Sequence, residues 1–147
     1  MDDTEHKVAV IIRLREMLRR QREKFRSYLI LLEQEHASIE GGNPEALLAQ
    51  VELEQAIISE IFTLKKAIAP LEDLYQAAYP ETESTVPALN ACLEKMGDQI
   101  VARNARNRAL LKEKMEDLRL EIASLRAWPR SRSPFAEVAP KLVDIVT

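Results

Sequence analysis

Along the first forty positions, apolar residues recur at Ile11, Leu14, Leu18, Phe25, Tyr28, Leu32 and Ile39, and Gln21 and Glu35 occupy the two places the rhythm leaves. The steps alternate three and four, the period of a helix that lies against other helices. Val8, Ile12, Leu29 and Leu31 widen this face, as a bundle helix needs and a two-stranded coil does not. The pattern predicts a first helix over about 4–40. Gly41-Gly42-Asn43-Pro44-Glu45 then punctuates the chain. Glycine tolerates the left-handed turn that ends a helix, Asn43 suits the next cap, and Pro44 fits a first helical position.

A second helix is predicted over 44–78, with its stripe at Leu47, Val51, Ile57, Ile61, Leu64, Ile68, Leu71, Tyr75 and Ala78. Pro70 falls inside this rhythm without ending it, so a kink is expected around Leu64–Lys66. The run Tyr79-Pro80-Glu81-Thr82-Glu83-Ser84-Thr85-Val86-Pro87 reads as the next turn, with Ser84 or Thr85 expected to cap a third helix over 85–127. That helix carries Leu89, Leu93, Met96 and Ile100, then two asparagines, Asn104 and Asn107, then Leu111, Met115, Leu118, Ile122 and Leu125 on the same face. Polar residues in such a seam either fix register or mark where the face becomes wet. Upstream of them the seam closes the bundle. Downstream, Leu110 to Leu125 form either further internal core or a face for a partner.

After Trp128-Pro129 the composition changes to Arg130-Ser-Arg-Ser-Pro134, and then to an apolar end with Phe135, Val138, Leu142, Val143, Ile145 and Val146 broken by Pro140. The expectation is a domain over 1–128 followed by a mobile tail, 129–147, whose apolar end docks on the bundle, on a second copy or on a partner. The fold class is thus all-α: an antiparallel bundle of three long helices with a flexible C-terminal tail.

Composition agrees with this reading. Charged residues are 31% and aromatics 5% of the 147, with only 3 glycines, the profile of long helices. A net charge of −3 argues for neither nucleic acid nor a membrane surface. The charge is uneven, however. Ile12–Arg26 holds seven basic residues against two acidic, and Glu33–Leu64 holds seven glutamates and no Lys or Arg. A basic first helix beside an acidic second helix is expected. The N-terminus has acids where a signal peptide has bases, no stretch is apolar enough to span a membrane, and the single Cys92 allows no internal disulfide. A cytoplasmic, reducing compartment is expected.

Candidate chemistry is sparse. Glu33-x-x-His36 has the spacing of one half of a di-iron site, but the second such pair is missing, so a solvated histidine is expected. Cys92, next to the seam, reads as a small buried thiol. The basic run has little aromatic interleaving and no nucleic-acid reading module, so it reads as a solvated face. No catalytic constellation, phosphate loop or metal cluster is present in the sequence, and no enzyme activity or cofactor is expected.

Asn104-x-x-Asn107-Arg108-x-Leu110-Leu111, late in the third helix, resembles the asparagine–leucine signature of FlgN-like flagellar export chaperones. Leu31-Leu32-Glu33-x-Glu35-x-x-x-Ile39-x-x-Gly42-Asn43-x-Glu45-x-Leu47 resembles the first turn of the same family, and length and helix order agree. The resemblance implies a cytosolic chaperone that hydrolyses no nucleotide. It would bind hook-associated (hook–filament junction) flagellar proteins, prevent their premature assembly and deliver them to the flagellar type III export gate. The partner face would comprise Leu110, Leu111, Met115, Leu118, Ile122, Leu125 and Trp128, with Phe135, Val138, Leu142, Val143 and Ile145 of the tail. The competing reading is a structural, self-associating coiled coil, a homodimer that uses the same stripe and has no chaperone role.

Overall fold

A computed structural model describes residues 2–78 and 83–127. They form three α-helices: α1 (Asp3–Glu40), α2 (Pro44–Ala78) and α3 (Thr85–Arg126). The all-α fold expected from the periodicity is the fold observed. The expected tail, 129–147, and with it Trp128, Phe135, Val138, Leu142, Val143 and Ile145, lies outside the described residues. Two compact units divide between Asn107 and Arg108.

The first unit contains α1, α2 and α3 as far as Asn107. The α1–α2 connection follows from its residues. Gly41 and Gly42 donate their backbone N–H groups to Ala37 and Ile39, and Gly42 takes φ 63°, a left-handed value that a side chain would oppose. The Asn43 side-chain oxygen then accepts from the Ala46 N–H at 3.1 Å, capping α2 one residue before Pro44. α2 runs through Pro70 as one helix.

Cross-helix bonds set the directions. Gln21 reaches the Ile61 carbonyl at 3.2 Å and Tyr28 the Glu54 carboxylate at 2.7 Å, so α1 and α2 are antiparallel. Tyr28 meets Asn104, and Leu32 meets Asn107, so α1 and α3 run parallel in an up-down-up arrangement. The core cluster is Leu14, Met17, Leu18, Ile68, Tyr75, Val86 and Leu89, with Ile11, Leu64, Leu71 and Leu93 packed on it. Burying each large apolar side chain stabilises the fold by about 1.5–3 kcal/mol. Of the α1 seam, Leu14, Leu18, Tyr28, Leu32, Ile39 and the polar Gln21 and Glu35 are buried, while Ile11 and Phe25 are half-buried.

The widened face divides. Leu29 and Leu31 are buried, but Val8 and Ile12 are exposed. Periodicity gives the width of an apolar stripe but not which of its flanks has a neighbour. Of the expected pairing of a basic α1 with an acidic α2, the described ion pairs include the Lys24–Glu60 contact. Arg13 and Arg20 instead pair with Glu16 and Arg26 with Glu23, all within α1, while Arg15 pairs with Glu83. Ion pairs three or four residues apart on one helix need no register between helices.

Candidate partner interface

The second unit is represented by the last part of α3, from Arg108 onward. Here most of the seam is open to solvent. Leu111 is 38% exposed, Met115 49%, Leu118 54% and Leu125 57%, while Leu110 and Ile122 are half-buried. Leu120, which the seam does not include, is exposed as well. An amphipathic helix of good formers with its stripe open to solvent is a surface that another helix can cover.

Upstream of Arg108, the α3 seam is built into the first unit. Asn107 is buried, and its side-chain amide donates to the Leu32 carbonyl at 2.9 Å. Its oxygen lies 3.2 Å from His36 Nδ1, and His36 Nε2 lies 3.0 Å from the Glu40 carboxylate. One turn earlier, Asn104 donates to the Tyr28 hydroxyl at 3.1 Å and Arg103 to the Leu29 carbonyl at 3.3 Å. These bonds lock α3 to α1 in one register, the first of the two roles open to seam asparagines. The expected solvated histidine is corrected: His36 is half-buried, with the Asn107 oxygen beside Nδ1 and the Glu40 carboxylate near Nε2. Glu33, its partner in the metal-like spacing, turns instead to Arg103 and Arg106.

The same layer holds a carboxyl pair that the sequence did not announce. Glu35 on α1 is buried, and its Oε1 has no hydrogen-bond partner among the described residues. Burial, and then the hydrogen-bonded, negatively charged Glu54 on α2, push the Glu35 carboxyl up to about 8. Glu35 therefore keeps its proton at neutral pH. Burial is also the first cause that raises the Tyr28 phenol to about 12, opposed by the Asn104 bond and reinforced by Glu54. Tyr28 thus remains a donor to Glu54.

At the opposite end of the unit, the cap of α3 is also corrected. Neither Ser84 nor Thr85 supplies the side-chain cap. The Glu83 carboxylate does, accepting from the Thr85 N–H at 3.0 Å and the Val86 N–H at 2.7 Å. It also accepts from Arg15 Nε at 3.2 Å and contacts the Tyr75 hydroxyl at 3.5 Å, so one side chain joins α1, α2 and α3. Burial raises its pKa, but the Val86 amide, the Arg15 guanidinium and the Thr85 amide outweigh burial and lower it to about 2. A carboxylate fits here because helix N-termini carry unpaired N–H groups and partial positive charge.

The chain is 37% identical over 127 residues to an uncharacterized protein of Treponema pallidum (strain Nichols), a match over 86% of this chain and 81% of that one. The chain belongs to that protein's family. No described family profile matches it, and no solved structure does.

Of the candidate residues, Asn104 and Asn107 converge on α1, whereas Leu111, Met115, Leu118, Ile122 and Leu125 share one face of the second unit and Leu110, about 100° round the helix from Leu111, lies off it. Cys92 is a half-buried free thiol whose Sγ lies 3.8 Å from Met96 Sδ. Among the described residues, no group of three acidic, His or Cys side chains could hold a metal ion, and no helix is long and apolar enough to cross a membrane.

Proposed function

We propose that this chain is a cytoplasmic export chaperone. It binds hook-associated flagellar proteins, keeps them from assembling early and delivers them to the flagellar type III export apparatus. One observation carries the reading: Leu111, Met115, Leu118 and Leu125 stay open to solvent directly after the buried Asn107. The asparagine–leucine signature of the FlgN-like chaperones straddles that change.

A chaperone of this kind acts by occupancy. A substrate segment whose own apolar face would drive assembly lies along the α3 stripe, and assembly is blocked while it stays there. Leucine with methionine makes a face that adapts to different partners. Release requires a modest interface. A segment that folds as it binds provides one, because the ordering entropy subtracts from the affinity.

The test is co-purification of the tagged full-length chain from its source cell. Hook-associated proteins should be recovered, and purified hook-associated protein should polymerise more slowly in the presence of the chain. Recovery of none of them, with normal expression, would sink the reading. A tight dimer in light scattering that persists when hook-associated protein is added would favour the self-associating coiled coil.

A further inference from the structure

The charges beside the exposed stripe are sorted. At about 100° per residue, Leu111, Met115, Leu118, Ile122 and Leu125 fall within about 40° of one line along α3. Arg108, Lys112 and Arg119 fall about 60–100° to one side of it, spaced four and seven residues apart, and all three are exposed. No acidic residue of this stretch shares their edge. Glu113, Glu116 and Asp117 project toward the back of the helix, and the other edge is mixed, with Lys114 and Glu121. Arg119 has Glu116 at 3.6 Å, an exposed contact within the helix that leaves the row cationic.

Residues flanking an apolar seam choose the partner and its orientation. A second copy packed antiparallel would set this row against its own counterpart, Arg119 against Arg119. A second copy packed parallel would set it against the mixed edge, where Lys114 repels what Glu121 attracts. Neither arrangement satisfies the three cations Arg108, Lys112 and Arg119 on one edge. We infer that the segment docked on α3 is an amphipathic helix with acidic side chains spaced along the edge that meets Arg108, Lys112 and Arg119. This rests on the proposed function in one respect only, that a helical segment occupies the stripe. Its consequence is selectivity: among segments with equivalent apolar faces, the chain takes those with an acidic edge.

The experiment uses the full-length chain and two labelled helical peptides. Both carry the same leucine seam; one has Glu and the other Lys along a single flank. Fluorescence anisotropy at low ionic strength should show the Glu-edged peptide binding about ten-fold tighter, with the gap narrowing as salt is added. In the variant Arg108→Glu, Lys112→Glu, Arg119→Glu the preference should reverse. These side chains are exposed, so the variant keeps the wild-type circular dichroism and urea midpoint. Equal affinities, or a preference unchanged in the variant, overturn the acidic edge and leave helix docking standing. Failure of both peptides to bind overturns docking as well. Capture of hook-associated proteins equally by wild type and variant removes the edge while keeping the chaperone role.

Discussion

The side-chain amide of Asn107 donates to the backbone carbonyl of Leu32 at 2.9 Å, and Asn107 is the last residue of the first unit. A helix carbonyl has a second lone pair, so Leu32 accepts this bond without giving up its place in α1. The bond fixes α3 against α1 where the buried seam ends. Asn107→Ala removes the donor, strips the partner from half-buried His36 and leaves a small void. The expected loss is about 1–3 kcal/mol in urea unfolding, with an unchanged slope. A midpoint equal to wild type would mean that Asn107 plays no part in holding register.

Glu83 is the second fixed point. Glu83→Ala uncaps α3 and leaves Arg15 without its cross-helix partner, at a cost of about 1–3 kcal/mol near neutral pH. Because Arg15 and Glu83 touch, the double variant with Arg15→Ala should lose less than the two single losses combined. The pH dependence has a definite sign. The carboxyl sits near 2 in the folded protein, below its ordinary value of 4.5. Its contribution is complete above the ordinary value and disappears as pH falls toward 2. The gap between wild type and Glu83→Ala should therefore close in acid, and a gap that persists at pH 2 would refute the assignment.

The two fixed points were unequally legible in sequence. Asn104 and Asn107 stand in a seam of leucines, and a polar residue there shows itself by breaking the rhythm. The helix ends between α1 and α2 were legible for a local reason: Gly42, Asn43 and Pro44 act on the backbone within one turn. Glu83 gave no such signal. Its cap depends on Arg15 and Tyr75, which are distant in sequence, and Ser84 and Thr85 beside it are more usual cap residues. The Glu35–Glu54 pair is invisible for the same reason. Each glutamate belongs to a helix rich in glutamate, and only the antiparallel register of α1 and α2 brings them together.

That pair predicts a pH dependence of opposite sign to Glu83. Glu35 titrates near 8 when folded, above its ordinary value of 4.5. Between those values the folded state holds a proton that the unfolded chain has lost, so stability falls as pH rises through this window and levels off above 8. Glu35→Gln copies the protonated form and keeps a donor for Glu54. Its melting temperature should match wild type near pH 5 and exceed it by several degrees near pH 9. Parallel pH profiles for the two proteins would show that Glu35 is ionised in the fold.

The α1–α2 turn makes a smaller prediction, tied to one dihedral angle. Gly42 has φ 63°, and a Cβ built there meets nothing within 4 Å. Gly42→Ala therefore introduces backbone strain without a clash, at a cost of about 1 kcal/mol. Asn43→Ala should cost about the same, through the lost cap on Ala46. Urea midpoints check both. A neutral Gly42→Ala would mean that the turn relaxes to another conformation.

The α3 stripe gives the prediction that separates stability from binding. Leu111 is 38% and Leu118 54% exposed, so replacing both by Asp removes little area that folding buries. Surface changes of this kind leave stability within about 0.5 kcal/mol. Helical content and urea midpoint should stay at wild-type values, while capture of hook-associated protein is lost because two charges now stand in the middle of an apolar contact. Leu14→Asp is the control, since Leu14 is fully buried in the α1 core and its substitution should unfold the first unit. If Leu111→Asp with Leu118→Asp unfolds the protein, the stripe belongs to the core. If the variant folds and still captures its partner, the partner binds elsewhere.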